Sequence, residues 1–240
     1  MGSFRFFNDP KEYGDWQFDL FTRSGGFDSK VEQEIQQRGT KFAKDHAKVL
    51  CGTVDQPSAV GRGVEKFWGR GFCRPRMWAQ YGAYHKGACL IFDKAALSAA
   101  IRTSKPAESL FWEGPITYKN TPRVYTLYDS PFMIDYDDVC ANGLQRAVSD
   151  HVVKNRVTLF FEKAADWRDE QEYRWLIWDN SHEAISIDFG DALKGVVVGC
   201  DFDAMEYKPL QALCSEHKVL VKRMTWLNGS PDLEHRVPIE

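Results

Sequence analysis

Strand-like and helix-like segments are interspersed along this chain without the regular βαβ order that a parallel α/β fold requires. The apolar run Ala88–Asp93 is typical of a buried strand, and the composition of Tyr173–Trp178 predicts another strand. Between these two segments, a stripe of apolar residues predicts a long helix from Val139 to about Lys163. The predicted fold class is α+β, with mixed and mainly antiparallel sheets covered by packed helices.

Other segments have weaker patterns. The polar, helix-favouring composition of Lys30–Val49 predicts a helix that is broken or frayed near Gly39. Residues 51–75 contain many glycines and predict a long loop, which ends before a short helix over Met77–Tyr81. The remaining strands are predicted over Gly114–Tyr118, Arg123–Leu127, Ile185–Ile187, Val196–Gly199 and Val219–Trp226, and the remaining helices over Asp93–Thr103 and Phe202–Ser215.

The length and the charge of the chain limit its possible functions. A chain of 240 residues can bury a sizeable core, and the absence of a linker rich in Pro, Gly or Ser predicts a single domain over residues 1–240. The 31 basic and 34 acidic residues leave a formal net charge of -3. This balance gives no strong field toward nucleic acid or an anionic membrane, although it is compatible with a local basic patch.

Membrane and secretion signals are absent from the sequence. No apolar run approaches the roughly 18 to 20 residues that span a bilayer, and the segment Met1–Arg5 has no apolar signal region. The six cysteines are scattered and form no CxxC pair, so reduced thiols are expected. These features predict a cytoplasmic protein with no membrane partner.

An acidic pair within the aromatic segment Trp167–Trp175 is the main candidate for chemical work. In a strand, residues two apart face the same side, so the carboxylates of Glu170 and Glu172 would point into one cleft. Two close carboxylates repel each other, and such a pair could stabilise a developing cation or orient a hydroxyl nucleophile. The alternative is a solvated strand entrance, at which Glu172 pairs with Arg174 or Arg168.

A second candidate segment combines cations with aromatic rings. Arg74, Arg76 and Lys86 could bind phosphate, while Trp78 and Tyr81 offer flat faces to a base or another ring. The alternative is that these two rings, at i, i+3 spacing on a short helix, are core residues.

A third candidate is the segment Phe7–Glu12, in which Asn8 and Asp9 precede Pro10. Asn and Asp before a proline favour a local turn closed by a side-chain-to-backbone hydrogen bond. A structural role in this turn is the first interpretation, and direct contact of Asn8 with a ligand is the alternative.

Other types of site have weak support in the sequence. His85 and Cys89 have an i, i+4 spacing, but Gly87 lies between them and no second pair with zinc spacing accompanies them, so no metal site is predicted. The Gly-Arg-Gly pieces lack the ending of a phosphate-binding loop, and no GxSxG elbow occurs. A nuclease with a divalent metal is a weaker alternative, and it would need carboxylates such as Asp9, Glu12, Glu170 and Glu172.

Three blocks of the sequence together resemble one known family. The first is Phe7–Glu12, the second runs from Met77 to Asp93, and the third runs from Phe161 to Arg174. They are similar to the FNDPxE, MWxxYxxxHxGxCxxFD and K-x3-W-x2-E-x-EYR blocks of the bacterial domain of unknown function numbered 2971, in the family's order. Family members carry a further stretch before the first block, whereas seven residues precede Asn8 here, so we expect one strand of those members to be missing.

By fold-level analogy, this family resembles ADP-ribosyltransferases, including their toxin and phage-defence branches. The resemblance implies that NAD is bound and that its nicotinamide glycosidic bond breaks through an oxocarbenium-like cation. It also implies that Glu172 holds the ribose 2′-hydroxyl and stabilises this charge, while Glu170 positions the acceptor. The cofactor-binding residues that it implies are Asn8, Arg74, Arg76, Trp78, Tyr81, His85 and Arg174.

Two functions from different classes follow from these observations. The first is an ADP-ribosyltransferase or NAD glycohydrolase that uses NAD as its substrate and acts toward a protein or nucleic-acid acceptor. The second is a non-catalytic module that binds a nucleotide or a nucleic-acid end. For both functions, we expect the acidic strand and the arginine–indole segment to converge on one ligand, although they are far apart along the chain.

Overall fold

The computed structural model describes residues 1–3, 9, 12, 14, 16–23, 25–26, 28–57, 67–120, 130–181 and 183–234. The predicted ligand contact of Asn8 and the predicted strand Arg123–Leu127 lie outside these residues. The described strands are β1 (Gly2–Ser3), β2 (Asp19–Phe21), β3 (Ala47–Thr53), β4 (Ala88–Phe92), β5 (Leu110–Pro115), β6 (Thr117–Tyr118), β7 (Met133–Asp135), β8 (Glu162–Lys163), β9 (Glu172–Trp178), β10 (Leu193–Val198), β11 (Leu220–Leu227) and β12 (Ser230–Leu233).

The described α-helices lie between these strands in no regular βαβ order, and together with the mixed sheets they confirm the predicted α+β fold class. They are α1 (Ser29–His46), α2 (Pro75–Gln80), α3 (Lys94–Ser104), α4 (Tyr136–Asn142), α5 (Leu144–Lys154), α6 (Arg156–Phe160) and α7 (Ala204–Glu216). Among the residues that the structure describes, no helix is both long enough and apolar enough to cross a membrane.

The chain divides into two compact units, each built from two separate segments. Unit 1 contains Met1–Gly52 and Lys105–Ser186, and unit 2 contains Thr53–Ser104 and Ile187–Glu240. The predicted single domain over residues 1–240 stays a prediction.

Unit 1 is organised around a four-stranded sheet in the order β1-β3-β9-β5. Strand β9 lies inside this sheet and pairs antiparallel with β5, from Leu110 opposite Trp178 to Pro115 opposite Tyr173. Two short parallel pairs, β2 with β7 and β6 with β8, complete the described strands of the unit. The interior position of β9 explains why most of its side chains are buried.

The first helix of unit 1 ends earlier than predicted and is not broken. Helix α1 begins after Asp28, whose side chain accepts a hydrogen bond from the Lys30 amide, and it ends at His46 rather than Val49 because the chain continues directly into β3. Gly39 lies within the continuous helix, where a Cβ atom would come within 3.0 Å of the Phe18 ring. The glycine therefore allows close packing and does not mark a break.

The predicted long helix over Val139–Lys163 is wrong, because three shorter helices and a strand occupy that range. Gly143 has a φ of 80°, which ends α4 and turns the chain before α5, and Asn155 separates α5 from α6. The buried stripe of the prediction is nevertheless present, since Val148, Val152 and Phe160 pack in the core of the unit. Periodicity thus located the apolar face but not the two turns.

Unit 2 contains a second four-stranded sheet, in the order β12-β11-β10-β4. Strands β10 and β11 are parallel and connected through α7, whereas β4 and β12 pair antiparallel with their neighbours. The predicted strands Ala88–Asp93 and Val219–Trp226 correspond to β4 and β11. The predicted strand Ile185–Ile187 is wrong, since these residues have no regular secondary structure.

A strained turn connects α2 to β4 in unit 2. Ala83, Tyr84 and His85 have successive φ angles of 48°, 53° and 68°, a left-handed conformation that costs side-chain-bearing residues about 1–2 kcal/mol each. Gly199 packs against the inside of this turn, where a Cβ atom would lie 1.9 Å from the carbonyl oxygen of His85. Tight backbone packing between the two segments therefore holds the turn.

Candidate functional site

The acidic residues predicted from the sequence converge in unit 1 because of the turn that precedes β9. Glu170 ends a 3-10 turn over Ala165–Glu170, and Gln171 follows in the left-handed conformation with a φ of 49°. Glu172 begins β9, and Arg174 lies two residues later on the same face of the strand. Glu170 and Glu172 are therefore brought together as predicted, but by the turn and not by strand alternation alone.

These residues belong to a buried charge cluster, which we define as Glu12, Lys163, Glu170, Glu172 and Arg174. The Lys163 ammonium donates to Glu170 Oε2 at 2.7 Å and to Glu172 Oε2 at 2.9 Å. Arg174 donates through Nε and Nη2 to Glu172 Oε1, at 2.8 and 2.5 Å. Both oxygens of Glu172 therefore accept hydrogen bonds from cations, which makes these bonds strong and fixes the carboxylate plane.

Glu12 joins the cluster from a distant part of the chain. Its Oε1 atom accepts a hydrogen bond of 2.7 Å from Arg174 Nη2, across a separation of 162 residues. The Glu12 amide donates to the carbonyl of Asp9, and the Asp9 carboxylate accepts a hydrogen bond from the Ala164 amide. Asp9 thus connects the N-terminal segment to the end of β8, close to Lys163.

Burial and charge shift the pKa values of the two carboxyl groups on Arg174 in opposite directions. Burial opposes ionisation of Glu172, but Arg174 and Lys163 outweigh it, so the pKa of Glu172 is lowered. Burial dominates at Glu12, and the same two cations offset it only in part, so the pKa of Glu12 is raised. Two neighbouring carboxyl groups with opposite pKa shifts are a pattern found in acid–base active sites.

Two further residues of unit 1 contact Glu172. The Cys51 thiol hydrogen-bonds with the Glu172 carboxylate, and burial of the sulfur raises the thiol pKa well above its ordinary value, so the thiol is protonated. Cys51 as a whole residue is nevertheless exposed, so parts of the residue other than the sulfur reach solvent. The Tyr118 hydroxyl accepts a hydrogen bond of 2.8 Å from the Glu172 amide, and burial raises the pKa of Tyr118 to about 12.

The arrangement of Lys163 bears on the nuclease alternative. Its ammonium lies among the side chains of Glu12, Glu170 and Glu172, with N–O distances of 3.6, 2.7 and 2.9 Å. A divalent metal shared by these three carboxylates would need the space that this ammonium occupies. Among the described residues, no group of three His, Cys, Asp or Glu is placed to hold a metal ion.

The arginine–indole segment lies in unit 2. Trp78 is buried, and its indole N–H donates to the Phe72 carbonyl at 2.7 Å, so this ring is part of the core, as the structural alternative expected. Arg74 donates to the Thr53 hydroxyl and to the Val54 carbonyl. Tyr81, by contrast, is 51% exposed.

The remaining predicted residues of unit 2 differ in exposure. Arg76 lies on the exposed side of α2, and His85 is partly buried in the strained turn. The His85 ring stacks on Trp78 at a centroid distance of 6.0 Å. Its Nδ1 atom is buried and has no hydrogen-bond partner within the described part of the chain.

Two residues of this site, Lys163 and Cys51, carry no sequence pattern that predicts a site role. Lys163 lies seven residues before Glu170 and nine residues before Glu172. No helical or strand periodicity in the sequence connects it with them. Cys51 gave no signal, because an isolated cysteine in a reduced protein is most often structural. A lysine within the third family block was the available hint for Lys163.

The site in unit 1 thus belongs to the class in which shared cations shift the pKa values of buried carboxyl groups. The model of a family described as protein of unknown function (DUF2971) matches residues 77–175. The chain is similar to this family over that range, which includes Lys163, Glu170, Glu172 and Arg174 but not Glu12 or Cys51. No curated protein and no solved structure matches the chain.

Proposed function

We propose that this chain is an enzyme that breaks the nicotinamide glycosidic bond of NAD, as an ADP-ribosyltransferase or an NAD glycohydrolase. The observation that carries the proposal is the state of Glu172, whose carboxylate is buried and yet kept ionised by Arg174 and Lys163. A fixed negative charge away from bulk water stabilises a cationic transition state more strongly than the same charge in water.

The proposed reaction separates charge at the ribose. The bond between the ribosyl carbon and the nicotinamide nitrogen breaks, the electron pair leaves with nicotinamide, and the ribosyl group becomes an oxocarbenium-like cation. Glu172 would stabilise this cation and accept a hydrogen bond from the ribose 2′-hydroxyl, while Glu170 would position the acceptor. These roles follow the family resemblance and agree with the negative charge of the pair.

The contact between Cys51 and Glu172 supports a route for the substrate. Among the described residues that bond to Glu172, Cys51 is the exposed one. A thiol is a weak hydrogen-bond donor, so a ribose hydroxyl could replace it with a net gain in hydrogen bonding. The substrate would then reach Glu172 from the side of β3.

Nicotinamide release from NAD tests the proposal. Wild-type protein should release nicotinamide, and Glu172→Gln should lower the rate by about 10²-fold or more, since the charge that stabilises the cation is lost. Glu34→Gln is the matched control, because Glu34 is an exposed carboxylate that pairs with Arg38 on the surface of α1. Thermal unfolding of each variant establishes that the fold is retained.

Two results would contradict the proposal. Absence of nicotinamide release from the wild-type protein would refute the activity, and an unchanged rate in a folded Glu172→Gln variant would refute the role of Glu172. Glu172→Asp, which keeps the charge and retracts it by one methylene, should fall between the wild type and Glu172→Gln.

A second candidate function is nucleotide binding without catalysis. It is favoured by the exposed rings of Tyr81 and Tyr84 in unit 2, which are 51% and 76% exposed. Exposed aromatic rings near arginine are typical of surfaces that stack on bases. Thermal stabilisation by NAD without nicotinamide release, lost in a Tyr81→Ala and Tyr84→Ala double variant, would support this candidate.

A further inference from the structure

The side chain of Glu12 has an oxygen atom without a hydrogen bond. The residue is 1% exposed, and Oε1 is bound to Arg174, but Oε2 has no hydrogen-bond partner in the part of the chain that is described. The Lys163 ammonium lies 3.6 Å from this oxygen, which is an ion-pair distance but too long for a hydrogen bond. A buried polar atom without a partner costs about 1–3 kcal/mol, so its presence needs an explanation.

Glu12 differs in this respect from Glu172, its neighbour on the same guanidinium. Arg174 Nη2 donates to both residues, at 2.7 Å to Glu12 and at 2.5 Å to Glu172. Both oxygens of Glu172 accept hydrogen bonds from cations, whereas Glu12 keeps one oxygen available. Cations therefore hold Glu172 at both of its oxygens, whereas one oxygen of Glu12 remains able to accept a proton.

We propose that Glu12 is the general base of the site and accepts, at Oε2, the proton of the nucleophile that attacks the ribosyl carbon. The inference rests on the proposed function and gives Glu12 a role that the family resemblance does not assign to it. As water attacks, its oxygen forms a bond to the ribosyl carbon, the carbon–nitrogen bond breaks with its electron pair going to nicotinamide, and one water proton goes to Glu12. The products are ADP-ribose, nicotinamide and a proton that Glu12 later returns to solvent.

The surroundings of Glu12 suit this role. Arg174 and Glu172 face it from β9, Lys163 faces it from β8, and the Cys51 thiol on β3 lies within electrostatic reach. Burial raises the pKa of Glu12, so its carboxylate is a stronger base than an exposed carboxylate. Lys163 and Arg174 stay charged, since the pKa of each is raised by the carboxylates around it in spite of burial.

Substitution of Glu12 with rescue by azide tests the inference. Glu12→Gln keeps the shape and should lower nicotinamide release from NAD by about 10²–10⁴-fold, and it should remove the acidic limb of the pH–rate profile. Sodium azide attacks as an anion and needs no base, so it should restore nicotinamide release in Glu12→Gln and yield azido-ADP-ribose. Glu34→Gln, at an exposed position, should behave like the wild type in every measurement.

The outcomes separate this inference from the proposed function. If the wild-type protein releases no nicotinamide, both are overturned. If the wild type is active but folded Glu12→Gln keeps its rate, or loses it without azide rescue, only the role of Glu12 is overturned. If Glu12→Gln does not fold, Glu12→Asp decides instead: it should keep the acidic limb at a lower rate, and a flat profile in an active Glu12→Asp variant would overturn the inference.

Discussion

At the scale of single residues, the charge cluster shows how burial changes the consequence of losing one partner of an ion pair. The sequence suggested that Glu172 pairs with Arg174 at a solvated strand entrance. The pairing is present, but Arg174 is 0% exposed and Glu172 is 6% exposed, so water does not screen the charges. Removal of one partner should therefore leave an uncompensated buried charge.

The first prediction concerns Lys163, whose ammonium holds Glu170 and Glu172 together. Lys163→Met should lower the free energy of unfolding by about 3–5 kcal/mol, because the carboxylates lose a buried partner. Arg38→Met breaks an exposed i, i+4 pair with Glu34 and should cost only about 0.3–0.5 kcal/mol. Urea unfolding measures both, and equal effects would show that the cluster is solvated.

The second prediction uses the opposite pKa shifts of Glu12 and Glu172. The lowered pKa of Glu172 contributes stability that is present above its unfolded pKa, about 4.3, and is lost as pH falls through the folded pKa. The raised pKa of Glu12 has the opposite sign, since its ionisation opposes folding as pH rises above about 4.3.

Each glutamine variant lacks one of these titrations, so urea unfolding across the acidic range separates them. Below about pH 4.3, a rise in pH should lower the stability of Glu172→Gln relative to the wild type. Above about pH 4.3, a rise in pH should increase the stability of Glu12→Gln relative to the wild type. Curves that stay parallel to the wild type in both windows would contradict the opposite shifts.

At the scale of elements, close backbone packing decides which glycines are essential. Gly199 follows β10 and faces the strained turn of unit 2, whereas Gly195 lies within β10 itself. A Cβ at Gly199 would lie 1.9 Å from the His85 carbonyl oxygen, while a Cβ at Gly195 would make an ordinary contact of 3.5 Å with the Leu220 carbonyl oxygen.

The third prediction follows from this contrast. Gly199→Ala should lower the free energy of unfolding by about 3 kcal/mol or more, because neither backbone segment can yield without loss of hydrogen bonds. Gly195→Ala should change it by less than about 1 kcal/mol. Thermal unfolding of the two variants checks the difference, and a tolerated Gly199→Ala would mean that the turn is not held by this contact.

Element boundaries also show which local signals the sequence carries. The turn between β11 and β12 is formed by Asn228 and Gly229, with φ angles of 50° and 79°. An Asn-Gly pair between strands is a strong signal for a two-residue hairpin. That signal predicts β12, which the assignment of Val219–Trp226 as the final strand overlooked.

At the scale of the whole molecule, each unit depends on two segments that are distant in the sequence. The sheet of unit 2 takes β4 from the first segment and β10, β11 and β12 from the last. The charge cluster, by contrast, lies wholly in unit 1.

The fourth prediction concerns a chain that ends at Ser186. Such a chain keeps both segments of unit 1 but removes the other three strands of the sheet that contains β4, so β4 loses its partner β10 and would expose its hydrogen-bonding edge and its apolar face. Amide hydrogen exchange should then show loss of protection over β4 and α3 and retained protection over β5 and β9. Uniform loss of protection in both units would contradict the expectation that unit 1 keeps its fold without the last segment of the chain.

The amino-acid order by itself determined the elements whose signals are local. Strand β4, helix α3 with its Asp93 cap, and the acidic start of β9 each depend on residues within a few positions of one another, where steric and capping preferences act directly. The fold class followed from the same local signals, and so did the resemblance to the family whose model matches residues 77–175.

Only the tertiary structure decided what surrounds Glu172. Glu12 and Cys51 reach it from the N-terminal segment and from β3, and such contacts arise from strand pairing and chain reversal, which leave no periodic trace in the sequence. The same is true of the pKa shifts, because burial and the distance to Arg174 and Lys163 exist only once the chain has folded.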